Sequence, residues 1–257
     1  MSNINKSIHE FDVNLISEYF AGLERQGPGS PEATVKALRF INNLTPESMI
    51  ADLGCGTGGQ TMILARNAPG IITGIDIFPL FISLLNSNAS RNNLSGRIKG
   101  IIGSMDNLPF REEELDLVWS EGAIYNIGFA RGINEWRKFI KKGGYLAVTE
   151  ASWLTDEQPQ EIRNFWSDAY PEIGSIEAKS MQIQNAGYDL VTSFTLPEAC
   201  WIDNFYVPQV KAQEEFMKKY PGNKTVEEFI ANQRQEAKLY YEYKEHYGYV
   251  FYIARKN

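Results

Sequence analysis

The chain has 257 residues, 43% of them hydrophobic and 12% aromatic, and its 32 acidic and 25 basic side chains give a net charge of −7. This composition is typical of a globular protein with a substantial core, and it excludes a disordered chain. The acidic balance disfavours a nucleic-acid partner, because binding phosphates requires clustered Lys and Arg. Two cysteines, Cys55 and Cys200, are too few for a four-cysteine zinc site or a disulfide framework, which favours a cytoplasmic location without a structural metal.

The most apolar segments do not match a targeting or membrane-spanning pattern. Residues 1–7 lack the apolar centre of a signal peptide, and the apolar stretch 71–85 is interrupted by Asp76 and Pro79. We therefore expect neither secretion nor a membrane partner.

Two helices are predicted ahead of the first strand. Apolar residues recur at helical spacing over 7–24, and Gly27-Pro28-Gly29 then forms a turn. Ser30 is a favoured N-cap, and Pro31 suits the first helical position, so a second helix is expected from residue 31.

The first predicted strand, 48–53, ends in the glycine-rich run Gly54-Cys55-Gly56-Thr57-Gly58-Gly59, after which 59–68 is predicted to be a helix. Without side chains, such a turn lets the backbone approach a small molecule closely, and the unpaired N–H groups of the helix face it. The turn therefore predicts a ligand site.

The type of ligand depends on the residues around the glycines. Gly54, Gly56 and Gly59 fit the G-x-G-x-x-G spacing of dinucleotide sites, which is weak by itself. Asp52, at the strand end, would repel a pyrophosphate and favours a ligand that carries positive charge.

The segment Asp52-Leu53-Gly54-Cys55-Gly56-Thr57-Gly58 resembles the first motif of the class I S-adenosylmethionine-dependent methyltransferases. The resemblance implies a Rossmann-like fold, S-adenosylmethionine as cofactor and a small-molecule methyl acceptor, as in the broad bacterial group of small-molecule methyltransferases. It assigns Asp52, Gly54, Gly56 and Gly58 to the cofactor site.

Acids after the next two strands extend the predicted site. Asp76, with Ile77 beside it, follows the second strand at the spacing of a ribose-binding acid; its alternative role is to cap the next helix. In the resembled family, Asp106 would bond the adenine amino group and Met105 would pack on the ring, with Ser104 in the same loop. The alternative for Asp106 is an ordinary acidic loop residue.

Glu121 directly follows the fourth strand, so residues 121–126 are expected beside the transferable methyl group. Glu121 is the best-placed acid, either for the cofactor or for the turn, and no catalytic residue is assigned. Tyr19, Tyr125 and Trp153 are candidate walls for the acceptor, with ordinary core packing as the alternative. His9 and His246 are the only histidines and therefore candidate bases, although surface or packing roles are commoner.

Alternating strand and helix signals predict one α/β domain, a seven-stranded, mostly parallel sheet with helices on both faces and an antiparallel last strand. The parts of this single domain are N-terminal helices over 1–45, a cofactor-binding core over 46–196 and 247–257, and a helical insertion over 197–246. Further elements are predicted as strands at 71–76, 97–102, 114–120, 145–149, 190–196 and 247–254, and as helices at 79–92, 129–142, 158–170 and 175–186.

The insertion, 197–246, lies where the resembled fold has a hairpin loop. Thr225 and Glu228 fit a capping box that would begin a helix. The insertion is predicted to form a cap over the substrate end of the sheet together with the N-terminal helices; the alternatives are a homodimer interface or a peripheral addition to the fold.

Three functions fit the sequence. The first is methyl transfer from S-adenosylmethionine to a small molecule by direct displacement. The second is an NAD(P)-dependent oxidoreductase, which only the glycine spacing and Asp76 support. The third is a non-catalytic S-adenosylmethionine sensor.

Overall fold

A computed structural model describes residues 11–257 of the chain, and His9 lies outside the described residues. The strands are β1 Met49–Leu53, β2 Ile71–Asp76, β3 Ile98–Ile102, β4 Leu115–Ser120, β5 Ile140–Trp153, β6 Gly174–Ser175, β7 Tyr188–Thr195 and β8 Tyr247–Lys256. The helices are α1 Val13–Ala21, α2 Pro31–Leu38, α3 Gly59–Asn67, α4 Pro79–Arg91, α5 Phe129–Trp136, α6 Gln160–Ala169, α7 Ile176–Asn185, α8 Glu198–Trp201, α9 Val207–Lys219 and α10 Lys224–Tyr243.

The strands form one mixed sheet in the order β3-β2-β1-β4-β5-β8-β7, and the two-residue β6 pairs with the end of β5. Strands β1 to β5 are parallel, and β8 runs antiparallel to both β5 and β7. The predicted fold class is confirmed, with β6 as an added eighth strand. The strand order reverses between β1 and β4, and ligands in open α/β sheets bind beyond the carboxyl ends at such a point.

Helix starts show how far local signals determined the fold. Ser30 Oγ accepts a hydrogen bond from Ala33 N at 3.1 Å, and Pro31 opens α2 as predicted. The capping box predicted at Thr225 lies two residues too late, because the N-cap of α10 is Asn223. The side chain of Asn223 accepts from Thr225 N and Val226 N, so those donors are already satisfied when the helix begins at Lys224.

The end of α5 also differs from the prediction. The helix stops at Trp136, a 3₁₀ turn follows, and Lys141 to Gly144 belong to β5 instead of ending the helix. Gly143 has a φ of +78°, and the pairing of β5 with β4 shifts register there. The two glycines that resemble a helix stop thus form an irregular start to a strand.

The insertion after β7 folds as α8, a π-helical turn over Ile202–Tyr206, α9 and α10. Helix α1 packs on it, because the Tyr19 hydroxyl donates to Gln209 Oε1 at 2.9 Å and the Tyr19 ring lies 5.1 Å from that of Phe229. The N-terminal and inserted helices therefore form one aromatic layer.

A buried ion pair joins strand β5 to helix α7. Glu150 of β5 accepts from Lys179 Nζ at 2.6 Å and from the Tyr170 hydroxyl at 2.7 Å. Burial raises the pKa of Glu150 to about 7 despite the lysine.

Within residues 11–257, no helix is both long and apolar enough to cross a membrane.

Candidate cofactor and acceptor site

The glycine turn takes a conformation that side chains would prevent. Gly54 and Gly56 have φ values of +71° and +55°. A Cβ atom at Gly54 would clash with the side chain of Ala123, and one at Gly56 would clash with Gln26. The missing side chains therefore make room for Ala123 and Gln26, and the backbone of Gly54 and Gly56 also lines an adjoining cavity.

This first cavity has a volume of about 370 Å³ and lies at the carboxyl ends of β1, β2 and β4. Its size is that of a small-molecule site. The predicted cofactor residues that line it are Gly54, Gly56, Asp76, Ile77, Ser104, Met105, Asp106 and Glu121, joined by Tyr125. The sheet thus brings together the four loops that the sequence singled out, and the cofactor contacts of these residues stay predictions.

Asp76 joins the glycine turn to the start of α4. Its Oδ2 accepts from Gly56 N at 2.9 Å and its Oδ1 from Phe78 N at 3.0 Å. Burial raises the pKa of Asp76, although the backbone donors oppose that shift. Because each carboxylate oxygen has a second lone pair, Asp76 can hold the turn and still accept from a ligand hydroxyl.

Asp52 lies behind the turn and does not line the cavity. Its side chain is fully buried, with Oδ2 accepting from Thr61 Oγ1 at 2.6 Å and Oδ1 from Gln60 Nε2 at 3.4 Å. Gln60 does line the cavity, so Asp52 reaches it through that side chain. Gly58 also lies outside the lining, and its missing Cβ makes room for Leu85 of α4.

Asp52→Asn is expected to flatten the dependence of stability on pH. Burial raises the folded-state pKa of Asp52 from 3.8 to about 7. Between those values the folded protein keeps a proton that the unfolded chain releases, so stability present at low pH is lost as pH rises toward 7. Urea unfolding between pH 5 and 7 should show a slope shallower by about 1 kcal/mol per pH unit. The exposed Asp189→Asn is the control. Equal slopes in Asp52→Asn and Asp189→Asn would contradict the raised pKa of Asp52.

Glu121 is held in place by three donors. Its Oε1 accepts from Thr34 Oγ1 at 2.6 Å and from Trp119 Nε1 at 2.9 Å, and its Oε2 lies 3.2 Å from Arg25 Nη1. Arg25 also lines the first cavity, and its Nη2 is buried without a hydrogen-bond partner. The site therefore holds a fixed ion pair with one spare guanidinium donor.

The segment before α2 covers the glycine turn. Gln26 Oε1 accepts from Thr57 N at 3.0 Å, while Gln26 Nε2 donates to Leu23 O at 2.9 Å. This two-sided bridge fastens residues 25–28 over the turn. Arg25 and Gln26 were not among the predicted site residues, because the only local signal in this segment is the Gly27-Pro28-Gly29 turn.

A second cavity of about 360 Å³ adjoins the first, and both are lined by Gln26, Gly122, Tyr125 and Asn126. The aromatic side chains that line the second cavity are Phe20, Tyr125, Phe165, Trp166, Tyr170, Phe205 and Tyr249. It also includes Glu236 of α10, which sequence analysis missed.

Of the predicted acceptor walls, Tyr125 lines both of these cavities. Tyr19 lines neither, because its hydroxyl bonds Gln209 inside the aromatic layer. Trp153 also lines neither, and its ring packs 6.5 Å from that of Tyr247. His246 lies outside both cavities and contacts Thr155 Oγ1 through Nδ1 at 3.0 Å.

Over residues 11–257, no group of three or more His, Cys, Asp or Glu side chains is arranged to hold a metal.

Residues 51–148 match the family model described as a methyltransferase domain. A sarcosine/dimethylglycine N-methyltransferase of Aphanothece halophytica is 29% identical over 128 residues, 48% of this chain and 44% of the relative. A phosphoethanolamine N-methyltransferase of Plasmodium falciparum is 30% identical over 159 residues, 61% of this chain and 56% of the relative. The chain thus spans about half the length of the curated relatives it matches.

The fold has solved counterparts. A SAM-dependent methyltransferase from Geobacter sulfurreducens, in complex with S-adenosyl-L-homocysteine, superposes with a TM-score of 0.82 at 19% identity, over 96% of this chain and 99% of that one. The sheet order, the glycine turn and the family match identify a methyltransferase domain of the Rossmann-like type. Residues 51–148 thus match a methyltransferase domain, and the chain shares the fold of a SAM-dependent methyltransferase.

Proposed function

We propose that the chain binds S-adenosylmethionine in the first cavity and transfers its methyl group to a small molecule held in the second. The observation that carries this proposal is the junction of the two cavities at Gly122 and Tyr125, directly after β4. A donor and an acceptor placed in the two cavities would meet there. The relatives named as N-methyltransferases add support.

The residues of the first cavity suit the parts of the cofactor. Gly54 and Gly56 line the cavity without side chains, and Asp76 offers acceptors to ribose hydroxyls. Trp136 Nε1 donates to the Met105 carbonyl at 2.8 Å, which fixes the backbone of this loop, and Met105 remains our proposed contact with the adenine ring. Asp106 remains our proposed partner of the adenine amino group.

Methyl transfer from a sulfonium requires little from the protein besides geometry. S-adenosylmethionine supplies an already activated methyl group. The chain must align the acceptor with it and exclude water, and the aromatic walls of the second cavity suit both tasks. A general base is optional in such a displacement, so we assign none.

Calorimetric titration with S-adenosylmethionine tests the proposal. Asp76→Ala should weaken binding by about 1 to 3 kcal/mol, about 5- to 150-fold, because charge-assisted hydrogen bonds are lost. Asp189→Ala, in the exposed part of β7, is the matched control and should bind like the unmodified protein. If the unmodified protein does not bind S-adenosylmethionine but binds NADH, the proposal is overturned in favour of an oxidoreductase.

A sensor without catalysis would need only the first cavity. The second cavity, shaped by Phe205 and Glu236 of the insertion, therefore favours an enzyme. We further propose that 197–246 acts as a cap over the acceptor, since its residues line that cavity, and not as a homodimer interface. The unpaired, buried Cys55 and Cys200 support a cytoplasmic location.

A further inference from the structure

The second cavity has an uneven distribution of charge. Glu236 is the one ionisable carboxylate among its lining residues, and neither Lys, Arg nor His is among them. The remaining polar lining comes from amide side chains such as Gln26, Asn126 and Gln233. A molecule in this space would therefore face a single negative charge with no protein cation to balance it.

Glu236 is held in place by a neutral partner. The Tyr206 hydroxyl donates to its Oε1 at 3.2 Å, and no ion pair joins Glu236 to any basic side chain over residues 11–257. Tyr206 belongs to the π-helical turn, a rare irregularity that often marks functional sites. The carboxylate is thus oriented without being neutralised.

The environment of Glu236 is aromatic. Burial and the charge of Glu236 raise the pKa values of Tyr125, to about 12, and of Tyr249. Burial also raises the pKa of Glu236 to about 6, which leaves it mostly ionised at neutral pH. A half-buried carboxylate among aromatic rings attracts a cationic ligand.

Pairs of aromatic rings form part of the wall of the second cavity. Tyr125 and Tyr170 meet edge to face with centroids 6.0 Å apart, and Phe165 meets Trp166 similarly at 5.5 Å. Aromatic faces attract ammonium groups, and this attraction grows when water is excluded. The Glu236 carboxylate and the aromatic rings together therefore suit a positively charged ammonium group.

We propose that the methyl acceptor is a small molecule that carries an amine or ammonium group, and that this group is held as a cation between Glu236 and the aromatic walls of the second cavity. The cation anchors the acceptor, whereas the methyl group passes to an atom of the acceptor that has a free lone pair, and S-adenosylhomocysteine leaves. This inference names the acceptor class of the proposed function and rests on it. An acceptor recognised through a phosphate or carboxylate is disfavoured, because that group would face Glu236. Arg25 does not change this, since it lines the first cavity and is paired with Glu121.

Calorimetry with two probes of equal shape tests the charge preference. Choline carries a quaternary ammonium, and 3,3-dimethylbutan-1-ol is its neutral isostere. Choline should bind at least tenfold more tightly than the alcohol. Glu236→Gln should reduce choline affinity about tenfold and leave the alcohol unchanged. Glu242→Gln, exposed on the same helix, is the matched control and should change neither.

Titrating the probes with and without S-adenosylhomocysteine separates the two proposals. If S-adenosylhomocysteine fails to bind, the proposed function fails, whereas choline binding that depends on Glu236 would still support the cation site. The amine proposal is overturned if choline does not bind, if the alcohol binds equally well, or if phosphocholine binds more tightly than choline.

Discussion

Lys179→Met is expected to lower the free energy of unfolding by about 3–5 kcal/mol, as measured by urea denaturation. Lys179 is 1% exposed, and its Nζ lies 2.6 Å from Glu150 Oε1 and 4.5 Å from the Phe129 ring centre. The substitution leaves a buried carboxylate with Tyr170 as its remaining donor, and Glu150 Oε2 already has no partner. A methionine fills the space but cannot compensate the charge.

The loss of unfolding free energy in Lys179→Met should grow as the pH rises. Burial already raises the pKa of Glu150, and removing the lysine raises it further. The folded variant then keeps a proton that the unfolded chain releases, so its stability is greatest at low pH and falls as pH rises. Unfolding at pH 5.5 and pH 8 should therefore show the larger deficit at pH 8.

Two controls separate the buried pair from general effects. Lys211→Met removes an exposed lysine whose side chain is 84% accessible, and should change stability little. Lys179→Met combined with Glu150→Gln should recover part of the loss, because no buried charge remains. A loss no larger than that of Lys211→Met would show that Glu150 is not stabilised by the lysine.

The core of the fold was predictable because local signals agree there. The strand over residues 71–76 was predicted with the bounds that β2 has, since an apolar run is bounded by Gly70 before it and Asp76 at its end. Ser30 and Pro31 likewise determine the start of α2. Where such signals conflict, as at Lys141 to Gly144, a strand pairing overrode a helix stop.

The site was predictable only where it follows strand ends. Asp76, Met105 and Glu121 could be placed at one edge because parallel strands end together. Glu236 could not be placed from the sequence, because tertiary packing brings it to the second cavity from a helix near the end of the chain. The same limit applies to Asp52, whose position behind the turn depends on Thr61 reaching its carboxylate.

Arg25→Met should weaken S-adenosylmethionine binding by about 10- to 100-fold and leave 5′-methylthioadenosine binding within about twofold. The two ligands share the adenosine and the sulfur, but only the first has an amino-acid carboxylate. Arg25 Nη2 is a buried donor without a partner in the wall of the first cavity, whereas Nη1 is bound to Glu121. We therefore expect Nη2 to bind that carboxylate.

The comparison of the two ligands in calorimetry is what makes this prediction specific. Loss of a guanidinium could also disturb the whole wall, because Glu121 would lose its cation; in that case both ligands would weaken alike. Arg25→Lys keeps the charge but not the second donor, so it should fall between the unmodified protein and Arg25→Met. Arg91→Met, exposed on α4, should leave both affinities unchanged. Unchanged S-adenosylmethionine binding in Arg25→Met would mean that Arg25 serves Glu121 alone.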